Sequence, residues 1–171
     1  LKNMVCKFII YTPYYTRSKI MIFDALVGET DRHEENWGLT KKNNEYYISP
    51  LYDNGCSLLN KFKNEDYAQK YYQDNLLFEN YILKSKTYIY KENSSKRYKH
   101  FELIEYLIEF YPEEMKQEIK KLKELTNEKI EAIVNKIPVS LLTNMHKKYI
   151  IQYLKKRRDI LLKMGENAND K

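Results

Sequence analysis

Glycine and proline are scarce in this chain, four of each among 171 residues. Element boundaries must therefore be found from polar clusters and periodicity rather than from breakers. The glycines, Gly28, Gly38, Gly55 and Gly165, are too dispersed to build a Gly-rich loop over phosphates. Cysteine is nearly absent. Cys6 and Cys56 form no C-x-x-C pair and no His cluster at metal spacing joins them, which predicts two reduced thiols in a cytoplasmic protein. No stretch approaches the ~18 apolar residues of a membrane span. Residues 19–27 are apolar except Lys19 and Asp24, a length that suits a buried helix. No apolar core followed by a small-residue cleavage site marks a signal peptide.

What the chain does contain is the balance of a soluble globular domain, with 43% hydrophobic and 32% charged residues. Thirty Lys and Arg against twenty-four Asp and Glu leave a net charge of +6. That excess permits nucleic acid, nucleotides or acidic peptides as partners but names none. A solvated basic surface is the default, and direct nucleic-acid binding is not expected. The first residue is Leu1 rather than Met, so a piece of a longer protein is expected.

Along the chain, residues 1–15 read as an extended entry. Thr16 or Ser18 can cap a helix through Ile20, Phe23 and Val27 that stops at Gly28. Strand-like runs at Trp37–Thr40 and Tyr46–Ile48 flank Lys-Lys-Asn-Asn, a hairpin signal. Residues 60–98 show few clear periods, and helix and loop are expected there. Ile104, Leu107, Ile108 and Tyr111 then share one helix face. Pro112 opens a second helix with Met115, Ile119 and Leu122 inward. Thr126 caps a third, with Ile130, Ile133, Val134 and Ile137 as its face. A last helix starts near Thr143 or Asn144 and presents Ile150, Leu154 and Leu161, and a polar tail follows from Gly165. The fold class is thus mainly α (α+β), with a small β-hairpin beside a polar, acidic loop. The seventeen tyrosines have no platform-like spacing and read as packing residues.

Two segments carry chemistry: Gly28-Glu-Thr-Asp31-Arg-His33-Glu-Glu-Asn36-Trp-Gly, and Ile48-Ser-Pro-Leu-Tyr-Asp53-Asn-Gly55. Phosphoryl transfer needs one carboxylate at the acceptor hydroxyl, and a second carboxylate plus a neutral oxygen to hold magnesium on the phosphates. The kinase signature sets its Asp five residues before the Asn, with another Asp beyond a hairpin. Here Asp31 and Asn36 have that spacing, and Asp53 follows the hairpin-like segment.

Asp-Arg-His-x-x-Asn with Pro-Leu-Tyr-Asp-Asn-Gly resembles the C-terminal domain of HipA-like serine/threonine kinases, the toxin kinases of bacterial toxin–antitoxin pairs. Phe23-Asp-Ala-Leu-Val-Gly28 and Trp37-Gly38 fit the same pattern, so the specific motifs cover residues 20–60. The resemblance implies a kinase C-lobe over residues 1–165, with 166–171 as tail, using ATP and Mg²⁺. Asp31 would be the catalytic base or orient the hydroxyl. Asn36 and Asp53 would bind magnesium and, through it, the nucleotide. His33 would reach the transferred phosphate or brace the loop, and Arg32 is equally open. A protein Ser or Thr would be the substrate, and an antitoxin or the missing N-lobe the partner.

The bland alternatives are local. Asp24 reads as a buried carboxylate satisfied by loop backbone donors. Cys56 reads as a small buried hydrophobe. Lys155-Lys-Arg-Arg158 reads as a water-facing run that complements the last helix's dipole. The strand-borne Lys of a complete kinase is not visible, so a fragment, a split kinase and a decayed relic all fit. A non-catalytic binding module is the competing reading. A phosphatidylinositol-type lipid kinase ranks last, because no membrane-docking amphipathic helix is present and no membrane partner is expected.

Overall fold

The computed structural model of the chain describes residues 14–63 and 65–167. Cys6 and most of the expected extended entry lie outside these residues. Among those described there are seven α-helices and two antiparallel hairpins. Helix α1 spans Tyr14–Val27, so Thr16 and Ser18 sit inside it rather than capping it. Ile20, Met21, Ile22, Ala25, Leu26 and Val27 are all buried. A helix apolar nearly all round belongs at the centre of a bundle. The later helices α4 (His100–Phe110), α5 (Pro112–Lys121) and α7 (Asn144–Asn167) pack against it.

Gly28 ends α1 in the left-handed region at φ +71, and a Cβ there would fall 1.8 Å from the Tyr153 hydroxyl. Both the conformation and the close approach exclude a side chain. The chain thereby turns sharply out of the core and into the polar loop that starts at Glu29.

Strands β1 (Leu39–Lys42) and β2 (Glu45–Ile48) pair antiparallel. Asn43 and Asn44 form the two-residue turn at φ 51 and 63, the geometry that suits asparagine between right-twisted strands. This hairpin is largely exposed and is tied at its base, where the Ser49 amide and hydroxyl both donate to the Gly38 carbonyl.

Helices α2 (Glu65–Gln73) and α3 (Asn75–Lys84) follow, and Asp74 caps α3 through the Leu77 amide. Phe62 is fully buried among Tyr67, Tyr71, Tyr72 and Tyr81, and Tyr72 stacks on Tyr149 of α7. The expected helix and loop of 60–98 also contain a second hairpin, β3 (Lys86–Tyr90) with β4 (Arg97–Lys99).

Pro112 does open α5, and Thr126 does cap α6 (Asn127–Asn135) through the Lys129 amide. The apolar face of α6 is narrower than its sequence suggests. Ile130 and Val134 are buried against α7, whereas Ile133 is 58% exposed. Helix α7 continues through Gly165 to Asn167 instead of giving way to a polar tail. Gly165 lets it cross α5 closely, since a Cβ would meet Ile119 at 2.7 Å. No described helix is long and apolar enough to cross a membrane.

Candidate functional site

The loop after Gly28 carries the predicted site residues, and Arg32 organises it. Arg32 is buried. Its Nε and Nη2 engage the Asp24 carboxylate at 2.9–3.3 Å. Nη1 donates to the carbonyls of Asn36 at 3.0 Å and Tyr52 at 2.9 Å, and Nη2 also reaches Asn54 Oδ1. All five guanidinium donors are thus occupied in a rigid fork that a lysine could not copy.

Asp24 is accordingly paired with Arg32 and not with loop backbone donors. The physical reason is that a buried carboxylate needs compensating charge as well as hydrogen bonds. Arg32 is the tie that closes the site: it is Asp31's neighbour, it holds the Asn36 carbonyl, and it grips the residues on either side of Asp53.

Each predicted residue has a defined place. The Asp31 amide donates to Glu29 Oε1 at 2.8 Å, and its carbonyl accepts from the His33 amide and from Asn36 Nδ2, both at 2.8 Å. Its half-buried carboxylate enters none of these bonds. Asn36 is buried at the end of the 3₁₀ turn Glu34–Asn36. Its amide nitrogen is spent on the Asp31 carbonyl, which presents the amide oxygen as an acceptor. His33 caps that turn by accepting the Glu35 amide on Nδ1, and its ring meets Tyr88 edge-on at 5.6 Å.

Asp53 is exposed and left-handed at φ 49, and Leu58 and Leu59 repeat that conformation just downstream at φ 49 and 62. Left-handed non-glycine residues are strained, and such strain gathers at functional loops. Thr30 Oγ1 on the Cys56 carbonyl and the Leu58 amide on the Val27 carbonyl tie this loop to the end of α1 and the loop that follows it. The Cys56 thiol is half-buried and pushed up by burial and then by the charges of Glu29, Asp31 and Asp53.

Magnesium takes one or two protein oxygens and completes its shell with phosphate oxygens and water. Asn36 and Asp53 would supply such a pair: a neutral oxygen, its amide nitrogen held by the Asp31 carbonyl, and an exposed carboxylate. Among the described residues no three His, Cys, Asp or Glu side chains gather at metal distance.

Three contributors escaped the sequence. Glu29 is buried with Oε2 unpartnered, and burial raises its carboxyl. Buried His100 gives Nε2 to the Glu29 carbonyl at 2.7 Å. Arg97 Nη1 meets the Thr30 carbonyl at 3.3 Å while its guanidinium lies over Tyr88. The unforeseen β3–β4 hairpin and the start of α4 bring Arg97 and His100 to the loop. A small cavity of about 20 Å³, lined by Asp24, Glu29, Arg32, Thr87 and His100 among others, lies beneath it. That volume holds one water.

Burial pushes the Asp24 carboxyl from 3.8 up to about 6 against the pull of Arg32. The folded state therefore binds this proton more tightly than the unfolded chain does. The stabilisation is complete below about pH 4 and is lost as pH rises through about 6. Relative to Asp24→Asn, which cannot titrate, the parent protein should lose about 2 kcal/mol between pH 4 and 7. Urea titrations of both proteins across that range check this, and parallel curves would refute it.

No family model matches the chain, and no curated protein matches it. Among solved structures it is similar to the crystal structure of a Helicobacter pylori proinflammatory kinase, CtkA, with a TM-score of 0.75 at 19% identity. The match covers 91% of this chain and 53% of that one, so the chain spans about half the length of the kinase it resembles. At this identity the likeness shows the fold: a kinase-like, mainly helical domain with small hairpins.

Proposed function

We propose that this chain is the catalytic and magnesium-binding lobe of a HipA-like protein kinase that moves the γ-phosphate of ATP to a protein serine or threonine in a toxin–antitoxin setting. The observation that carries the reading is the Arg32 clamp. On a kinase-like fold, one buried guanidinium holds the Asp31–Asn36 loop against Tyr52 and Asn54 on either side of Asp53.

Asp31 orients the acceptor hydroxyl and takes its proton. Asn36 and Asp53 would hold magnesium, which supplies charge neutralisation at the phosphates. His33 braces the turn that carries Asn36. The Gly-rich loop and phosphate-gripping Lys come from a second lobe, which is the first expected partner. A binding-module role has one observation in its favour, the exposed apolar residues Ile133, Val139, Leu141 and Met145 around the α6–α7 connection.

The test is phosphate transfer from ATP by a protein that joins this chain to a nucleotide-cradling lobe, with and without magnesium. Transfer to serine or threonine that stops when magnesium is chelated is the expected result. A folded, ATP-binding protein that transfers nothing would hand the lead to the binding-module reading.

A further inference from the structure

We propose that Glu29 is a positioning residue for Asp31, and that a buried chain from α7, Arg157–Ser85–His100, sets Glu29 in place. The proposal rests on the reading of Asp31 given above. Its starting point is the direction of each hydrogen bond.

The Glu29 carbonyl offers only lone pairs, and His100 Nε2 stands 2.7 Å from it, so that nitrogen carries a proton. Burial and the nearby Arg157 charge hold the imidazole neutral, with its pKa down to about 3. A neutral ring has one N–H, so Nδ1 accepts. The Ser85 hydroxyl, 2.7 Å away, donates to it, and Ser85 Oγ in turn accepts from Arg157 Nη1 at 3.1 Å. Nδ1 also lies 3.1 Å from the Ser85 carbonyl, a longer approach than the 2.7 Å between Nε2 and the Glu29 carbonyl.

The chain ends on the loop that carries the chemistry. Glu29 turns its carboxylate onto the backbone of Thr30 and Asp31, with Oε1 2.8 Å from the Asp31 amide. Burying a carboxylate is costly, and a purely structural position would be filled as well by an apolar side chain. Here its return is a fixed φ and ψ at Asp31, whose own carboxylate enters none of the site's hydrogen bonds. Glu29 Oε2 has no partner among the described residues, and Glu29 lines the one-water cavity, so a bound water would complete its shell.

The test has two readouts on the purified, folded protein joined to its nucleotide-binding lobe. One is kcat and KM for ATP, and the other is hydrogen exchange at the Asp31 amide, which needs no activity. Glu29→Ala should lower kcat roughly 10- to 100-fold with KM changed less than about 3-fold, and should expose the Asp31 amide. Glu29→Gln, whose amide oxygen still accepts, should recover most of both. Ser85→Ala acts from the far end of the chain and should lower kcat by about 3- to 10-fold, and it serves if Glu29→Ala does not fold. Unchanged kcat in Glu29→Ala with an active parent would overturn the inference and leave the kinase reading standing. So would equal losses in Glu29→Gln and Glu29→Ala, or amide exchange indifferent to both. Amide protection that follows Glu29 in a parent with no transfer would keep the positioning chain and remove the kinase reading.

Discussion

Asp31→Asn is expected to cut phosphate transfer by roughly 10²- to 10⁴-fold, the range for losing a positioned acid–base group. Its folding stability should stay within about 0.5 kcal/mol of the parent. The separation follows from the hydrogen bonds. Asp31 is held through its backbone amide and carbonyl, with Glu29, His33 and Asn36 as partners. Asparagine keeps the size and that backbone network but cannot take the hydroxyl proton. Asp53→Asn is the companion experiment, because asparagine tolerates the left-handed backbone at φ 49. It should raise the magnesium concentration needed for half-maximal rate by at least about 10-fold, since one of the two proposed ligands loses its charge. Initial rates against magnesium, with denaturation curves of the same proteins, decide both. A folded Asp31→Asn protein that keeps more than about a tenth of parental kcat would remove Asp31 from the proton-transfer role.

Arg157→Met should destabilise the fold by about 3–5 kcal/mol, a large part of a domain's whole stability. Arg157 is fully buried, and among the described residues no carboxylate pairs with it. What compensates its charge is the backbone. Nε donates to the Ala25 carbonyl at the C-terminal end of α1, and Nη1 to the Ile82 carbonyl at the C-terminal end of α3. Helix C-termini carry orphan carbonyls and the negative end of the dipole, so one guanidinium closes two helices. Phe101 and Tyr153 cover it with their rings, 4.7 and 5.1 Å away. Methionine would leave both carbonyls unpaired in the core. Arg157→Lys should fail nearly as badly, because one ammonium lacks the planar fork that spans two helix ends. Were Arg157 a solvated residue, either change would stay within about 0.5 kcal/mol. The denaturation midpoint separates these outcomes.

That residue also shows where a local reading of the sequence goes astray. Within Lys155-Lys-Arg-Arg158 the charges suggest a water-facing run, yet Arg157 is fully buried and Arg158 nearly so. A signal was present in the spacing. Arg157 lies four residues after buried Tyr153 and four before buried Leu161, on the apolar stripe of α7. Arg158, one position round, instead reaches the Leu125 carbonyl and Asn127 at the start of α6. Lys155 and Lys156 do take the outward role, pairing with Glu131 and Glu79. The β3–β4 hairpin was hidden for a different reason. Of its strand residues only Thr87 is buried, so the period-2 pattern is faint and no glycine marks the turn.

The sequence by itself determined the helices from α4 onward, their caps at Pro112 and Thr126, the Asn43–Asn44 turn, and the spacing of Asp31, Asn36 and Asp53. These features depend on groups within one or two turns of chain, where periodicity and side-chain type decide the outcome. Tertiary structure alone decided which partner each buried polar group has. Asp24 and Arg32 are eight residues apart, Glu29 and His100 seventy-one, and Arg157 and Ala25 one hundred and thirty-two. The physical reason is desolvation. Burial makes an unpaired charge too costly to keep, and only the packed fold determines which donor or acceptor from a distant segment arrives to offset it.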